Sequence, residues 1–223
     1  KNVIKGEKLR KSFNNKIVLD IPTLEIKQSQ IVSICGPSGA GKTTLLNILG
    51  TLMKTDNLKG TLLNIMNEDI TKMLPDNLAK FRNKHLGFIF QFHELLNEFN
   101  VIENIIIPGL IANKERIELI KKGTEILKIL SIANLKYNSP KNISGGEKQR
   151  VAVARSLIND PSIIFADEPS GNLDAKNADE LHKLFFKLRD EFGQTFVIVT
   201  HNEKLSKISD KILKLVDGKI QSK

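Results

Sequence analysis

Hydrophobic positions along the chain change their spacing twice. Over the first thirty residues they alternate weakly, at Leu19 and Ile21 and again at Leu24 and Ile26, which predicts short antiparallel strands. Ile31-Val32-Ser33-Ile34-Cys35 is a nearly continuous apolar run of strand length that ends in a glycine-rich stretch. Lys42 to Leu52 follows with Leu45, Leu46, Ile48 and Leu49 on one helical face. Residues 60–65 and 86–90 predict two further strands.

From about residue 92 to 160 the period is helical. Ile117, Ile120, Thr124, Leu127 and Leu130 recur at steps of three and four, with lysines and glutamates between them, which predicts a buried stripe. Gly123 within it costs ~1 kcal/mol against Ala and predicts a bend. Two apolar strands follow, at 162–166 and 195–199, with a helix over Asn177–Glu191 between them and a hairpin around Asp217-Gly218 at the end. Alternation of strand, helix and strand predicts a parallel α/β core. The expected layout is one domain, with residues 1–91 and 160–223 forming the core and its antiparallel β part, and 92–159 an inserted helical part.

Composition narrows the function. With 223 residues, 40% hydrophobic and 26% charged, the chain has enough apolar material for a large core and too much to be disordered. The net charge of +9 raises nucleic acid or anionic lipid as partners, but it is spread evenly. Residues 1–111 hold 14 basic and 10 acidic residues, and 112–223 hold 20 and 15. Of the basic residues 28 are Lys and 6 are Arg, and one Tyr with no Trp leaves little to stack on bases, so no nucleic-acid partner is expected. The single cysteine, Cys35, excludes an internal disulfide and reads as a small buried strand residue. The best apolar run, Ile105-Ile106-Ile107, breaks on Pro108, well short of the ~20 residues of a membrane span. Lys1-Asn2-Val3-Ile4-Lys5-Gly6 lacks the apolar core of a signal peptide, so no transmembrane segment is expected.

Gly36-Pro37-Ser38-Gly39-Ala40-Gly41-Lys42-Thr43-Thr44 contains the pattern G-x-x-x-x-G-K-[ST] between a predicted strand and a predicted helix. Glycines let such a loop turn its N–H groups onto a phosphate chain, and the helix N-terminus adds about half a positive charge. Lys42 is the expected ligand of the β- and γ-phosphates and the Thr43 hydroxyl of Mg²⁺. The strand over 162–166 ends in adjacent carboxylates. Asp167 suits the Mg²⁺ hydration shell, and Glu168 suits polarising the water that attacks a γ-phosphate. Asn15-Lys16, Asn83-Lys84 and Asn113-Lys114 all lack the Asp of a guanine-reading Asn-Lys-x-Asp, so ATP is the expected nucleotide.

Further along, Ser144-Gly145-Gly146-Glu147-Lys148-Gln149-Arg150 resembles the signature of ABC-transporter ATPases. Gln91 after an aliphatic strand, Ser170-Gly171-Asn172-Leu173-Asp174 after the acidic pair, and His201 after the last core strand complete that resemblance in the family's order. It implies a P-loop NTPase fold with a RecA-like core, an antiparallel β subdomain and an inserted α-helical subdomain. It also implies a head-to-tail homodimer in the ATP-bound state, in which Ser144, Gly145 and Gly146 face the partner's ATP and Asp174 lies at the interface. By the same resemblance His201 bonds the γ-phosphate and Gln91 senses Mg²⁺ and water. Phe13 takes the place of an adenine-stacking aromatic, here without the more usual tyrosine hydroxyl. Glu147 stands where many members carry Gln, and Gln28-Ser29-Gln30 replaces a Gly-Glu turn.

The stretch Arg82–Leu96, with Glu103-Asn104 and Pro108, resembles the lipoprotein-releasing branch of the family, whose relatives power macrolide or peptide efflux or act in cell-division signalling. That branch implies two integral-membrane permease subunits and a peripheral place on the cytoplasmic side of the inner membrane. Asn97 replaces a proline usual there. Phe92, Leu95, Leu96 and Phe99, beside Glu94 and Glu98, predict helices that are either subdomain core or a docking groove for a partner's helix. His85, His93 and His182 have no metal-type spacing and are expected at the surface.

Overall fold

The computed structural model describes residues 1–56 and 58–221. Its first two strands, β1 (Asn2–Phe13) and β2 (Lys16–Lys27), form a long antiparallel hairpin. The weak alternation has a physical source. Leu19 and Ile21 are one step out of phase with Leu24 and Ile26, and the break at Pro22 lies opposite Lys8, which takes a left-handed φ of 50°. Both strands change face together, so all four side chains stay buried.

β3 (Ile31–Cys35) leads into α1 (Lys42–Leu49), which stops at Gly50 rather than at the expected Leu52. β4 (Leu62–Ile65) and β5 (Glu68–Asp69) complete a four-stranded antiparallel sheet in the order β2-β1-β4-β5. α2 (Pro75–His85) carries no strong apolar period because it buries only Phe81. After β6 (Leu86–Ile89) come three helices, α3 (Val101–Ile111), α4 (Arg116–Ile129) and α5 (Gly145–Leu157). β7 (Ile163–Asp167), α6 (Ala175–Phe192), β8 (Thr195–Val199), α7 (Glu203–Ile208), β9 (Lys211–Val216) and β10 (Lys219–Ile220) finish the chain.

Three expectations for the helical part change. Pro108 does not break its helix, since α3 continues three residues past it to Ile111. The buried face of α4 is Leu119, Gly123, Ile126 and Leu127, while Ile117 is 82% exposed. Gly123 marks a close approach, because a Cβ there would lie 2.6 Å from Ile102 Cδ1 on α3. Residues 92–100, expected to be helical, form turns and irregular chain.

The second sheet has the order β10-β9-β3-β8-β7-β6, parallel except for β10. β8 lies between β3 and β7, so the loops leaving the carboxyl ends of these three strands are neighbours. Ligands of parallel sheets bind at such ends. Among the described residues no helix is long and apolar enough to cross a membrane.

Candidate nucleotide site

The loop after β3 is shaped by what lies behind it. A Cβ on Gly36 would come 2.0 Å from the Leu215 carbonyl oxygen on β9, so only glycine fits there. Gly41 takes a left-handed φ of 95° and caps α1 with no side-chain hydrogen bond, leaving the first-turn N–H groups of Lys42, Thr43 and Thr44 to an outside acceptor. Lys42 is 7% exposed, and its Nζ donates to the carbonyls of Gly36 at 3.0 Å and Pro37 at 2.9 Å. The ammonium is thereby folded back over Pro37-Ser38-Gly39-Ala40. Phe13, 44% exposed, ends β1 five residues before Val18, whose carbonyl packs against Gly41.

Asp167 closes β7 one strand beyond β8. Burial pushes its carboxyl up, while the Thr43 hydroxyl and the Lys42 ammonium pull it down. A carboxylate half out of water, beside a hydroxyl, suits a hard divalent cation that takes oxygen ligands. Glu168 follows at φ 46°, a left-handed conformation that a non-glycine residue holds only where its surroundings fix it. The His201 backbone N–H donates to Glu168 Oε2 at 3.2 Å. Glu168 Oε1 lies 3.2 Å from His201 Nε2, yet the angles are not those of a hydrogen bond, so this buried oxygen has no partner. Burial raises the Glu168 carboxyl above its ordinary range, with His201 opposing. A lone acceptor oxygen with raised basicity can hold and polarise a water.

Gln91 reaches the same loop. Its Nε2 donates to Asn172 Oδ1 at 3.2 Å, and Asn172 Nδ2 returns a bond to the Gln91 carbonyl at 3.3 Å. Asp174 caps α6, accepting from the N–H of Asn177 at 2.8 Å and from its Nδ2 at 2.7 Å. Asn177 also touches the signature segment, because its Oδ1 lies 2.7 Å from where a Gly146 Cβ would stand. Ser144 caps α5 in a capping box. Its hydroxyl accepts from the Glu147 N–H at 3.3 Å, and the Glu147 carboxylate accepts from the Ser144 N–H at 2.7 Å. Among the described residues no hydrogen bond joins Ser144, Gly145 or Gly146 to the loop of Lys42.

Comparison with known proteins gives this arrangement a lineage. The ABC transporter family profile matches residues 19–171. The chain belongs to the ABC transporter family. It is one of the family's ATP-hydrolysing cassettes. The "Lipoprotein-releasing system ATP-binding protein LolD" of Bacteroides fragilis is 52% identical over 214 residues, covering 96% of this chain and 98% of that protein. The protein of the same name from Porphyromonas gingivalis is 51% identical, covering 97% of each. Among solved structures, the dimeric bacterial ABC transporter cassette MJ0796 superposes with a TM-score of 0.87 at 35% identity, covering 98% of this chain and 97% of that one. A post-hydrolysis dimer of that cassette bound to ADP and Pi gives 0.86 at 35% identity, with the same coverage.

The burial and tertiary bonding of several polar residues gave no signal in the sequence pattern. Asn104 is fully buried, accepts from the Leu96 N–H at 2.8 Å and donates to the carbonyls of Leu96, Phe99 and Asn100. Arg155 donates to the carbonyls of His93 at 2.7 Å and Glu94 at 2.5 Å, two consecutive residues with left-handed φ. His182, expected at the surface, is 4% exposed within α6, and His85 and His93 are half-buried. Phe92, Leu96 and Phe99 are 72%, 45% and 41% exposed, whereas Leu95 packs on the helical core. Beside them a cavity of about 540 Å³ opens between Leu52, Leu86 and Phe88 on one side and Pro108, Ile111 and Arg155 on the other.

Proposed function

We propose that this cassette is the ATPase subunit of a lipoprotein-releasing transporter, working by mechanotransmission to two integral-membrane permease subunits. The observation that carries the reading is end-to-end similarity: 52% identity spans 98% of both this chain and the Bacteroides thetaiotaomicron lipoprotein-releasing ATP-binding protein, to within a percent. The cassette then sits peripherally on the cytoplasmic face of the inner membrane, and its core and β part (1–91 and 160–223) carry the nucleotide while the helical part (92–159) carries the signature.

In this reading ATP lies along residues 36–44 with its adenine against Phe13, and Lys42 binds the β- and γ-phosphates. Thr43, Asp167 and Gln91 would hold Mg²⁺, which supplies charge neutralisation at the phosphates. Glu168 orients and deprotonates the attacking water, and His201 bonds the γ-phosphate. Among the described residues no hydrogen bond joins Ser144, Gly145 or Gly146 to the loop of Lys42; by the family's head-to-tail arrangement they complete the site of a second copy, and Asp174 stands at that interface. Phe92, Leu96, Phe99 and the adjoining cavity receive a cytoplasmic helix of the permease, whose basic residues suit the Glu94 and Glu98 rim.

The test is reconstitution of the cassette with its membrane subunits in proteoliposomes carrying an acylated protein and, separately, a macrolide. ATP-dependent release of the acylated protein to a soluble carrier is the expected result. Macrolide movement without lipoprotein release would place the chain in an efflux pump instead.

A further inference from the structure

The catalytic loop from Glu168 to Asp174 is fastened unevenly. At its start the Glu168 N–H donates to the Val199 carbonyl at 2.9 Å. On its outer side Asn172 is tied to Gln91. On its inner side, among the described residues, the side-chain tie between the helix beneath and the stretch before Asp174 is His182 Nε2 to Ser170 Oγ at 3.1 Å, while Asp174 itself caps that helix through Asn177. Both partners are buried, at 4% and 9% exposure. Ser170 lies two residues past Glu168, whose left-handed backbone needs its surroundings to hold it. Its carbonyl also accepts from the Leu173 N–H at 3.2 Å, so Ser170 anchors both the turn after Glu168 and the approach to Asp174.

We propose that His182 is a positioning residue for hydrolysis: its Nε2 fixes Ser170, and through Ser170 the loop that aims Glu168 at the water. Burial keeps the imidazole pKa low, with Asp179 opposing that shift and Lys204 adding to it, so the ring is the neutral form that exchanges one hydrogen bond with a hydroxyl. An apolar side chain of similar size would fill the same space yet leave Ser170 without its partner. The inference rests on Glu168 being the base, so Glu168→Gln is measured in parallel. An active Glu168→Gln variant removes that assignment, and the His182 result is then read separately.

The experiment is steady-state ATPase kinetics on the purified full chain. His182→Ala is expected to lower kcat by roughly 10–100-fold, the scale of a slightly misplaced catalytic group, with KM for ATP within about twofold. Gln presents an N–H near the position of Nε2, so His182→Gln should restore most of kcat, whereas the shorter His182→Asn should not. Ser170→Ala alone should reproduce the loss, and adding it to His182→Ala should cost nothing further. Parental kcat in a folded His182→Ala or Ser170→Ala variant overturns the proposal, as does a well-folded His182→Gln that remains slow. If His182→Ala fails to fold, Ser170→Ala decides, since it removes a single oxygen.

Discussion

Residues 36–44 and residues 91–100 both follow a parallel strand and both carry left-handed backbone, yet they are built on opposite terms. The first is closed on itself. Lys42 bonds back to Gly36 and Pro37, Gly36 is pressed on Leu215, and the loop runs directly into α1. The second is held from outside, by Asn104 under Leu96–Asn100 and by Arg155 over His93 and Glu94, while Phe92, Leu96 and Phe99 remain exposed. A loop that must meet the same phosphate chain on every turnover is best preorganised. A segment that must follow a moving partner is best hung from a few polar anchors with its apolar side free. If residues 91–100 receive the membrane partner as proposed, chemistry and transmission are separable in this chain, and each can be broken without the other.

The largest effect is expected on the chemical side. Glu168→Gln keeps the shape and the bond from the His201 N–H but loses the base, so ATP hydrolysis should fall by ~10²–10⁴-fold while MgATP still binds. ATP-trapped dimers should accumulate, which size-exclusion chromatography with ATP will show. Lys42→Ala should instead weaken binding of the triphosphate itself, measured by calorimetry. Because burial raises the Glu168 carboxyl, the parental kcat should fall as pH drops through a value above the ordinary carboxylate range. Hydrolysis at parental rate by Glu168→Gln removes the base assignment.

Next is a break on the other side only. Leu96→Asp places a charge on an exposed apolar surface, so the isolated chain should fold, bind ATP and hydrolyse it as the parent does. Its affinity for the membrane subunits should fall by about 2 kcal/mol or more, the scale of an interface anchor. Copurification from membranes expressing both subunits is the measurement. Retained assembly and stimulation would move the docking surface elsewhere.

The same contrast explains what the sequence could and could not disclose. The loop of Lys42 is a contiguous motif whose residue types are dictated by one ligand, and its flanking strand and helix bury clean apolar stripes, so spacing alone revealed it. Strands β3, β7 and β8 were equally legible because both their faces are covered. Helix α2 was not, since a mostly exposed helix needs only Phe81 buried. The stripe in α4 was legible in part: Leu127 and Leu130 are fully buried and Ile120 packs on the core, whereas Ile117 is exposed and Leu119, Gly123 and Ile126 are buried in addition, Gly123 being invisible to a count of apolar residues. Asn104, Arg155 and His182 act through tertiary hydrogen bonds, and a polar residue's burial cannot be read from its neighbours in sequence.

Sharpening the comparison needs a variant that loosens the second segment without touching its surface. Asn104→Ala takes away the partner of the Leu96 N–H and of the Phe99 carbonyl, at about 1–3 kcal/mol, while the carbonyls of Leu96 and Asn100 keep the backbone N–H groups of Phe99 and residue 104. The expected outcome is a lower denaturant midpoint, faster hydrogen exchange confined to 92–100, and weaker coupling to the membrane subunits. Nucleotide affinity should not change. Exchange spreading into residues 36–44 would show that the two segments are not independent.

The smallest effect concerns the signature helix, which belongs to neither segment and which in the proposed dimer faces a second copy. Glu147 accepts the Ser144 N–H and is held below its ordinary carboxylate range by that bond and by the Ser144 hydroxyl. The sign follows directly: its folded value is depressed, so its contribution is present above the unfolded value and is lost as pH falls through the folded one. Glu147→Ala removes half of the capping box, and should cost ~1 kcal/mol of stability at neutral pH. The cost should shrink in acid, where the parent loses the same bond. Glu147→Gln can still accept the Ser144 N–H, so it should recover part of the loss at neutral pH and none of the pH dependence. Chemical denaturation of the three proteins at neutral and acidic pH measures this. Equal stabilities at neutral pH would mean that the cap is made by the Ser144 hydroxyl alone, and that Glu147 is free to serve the ATP-bound dimer instead.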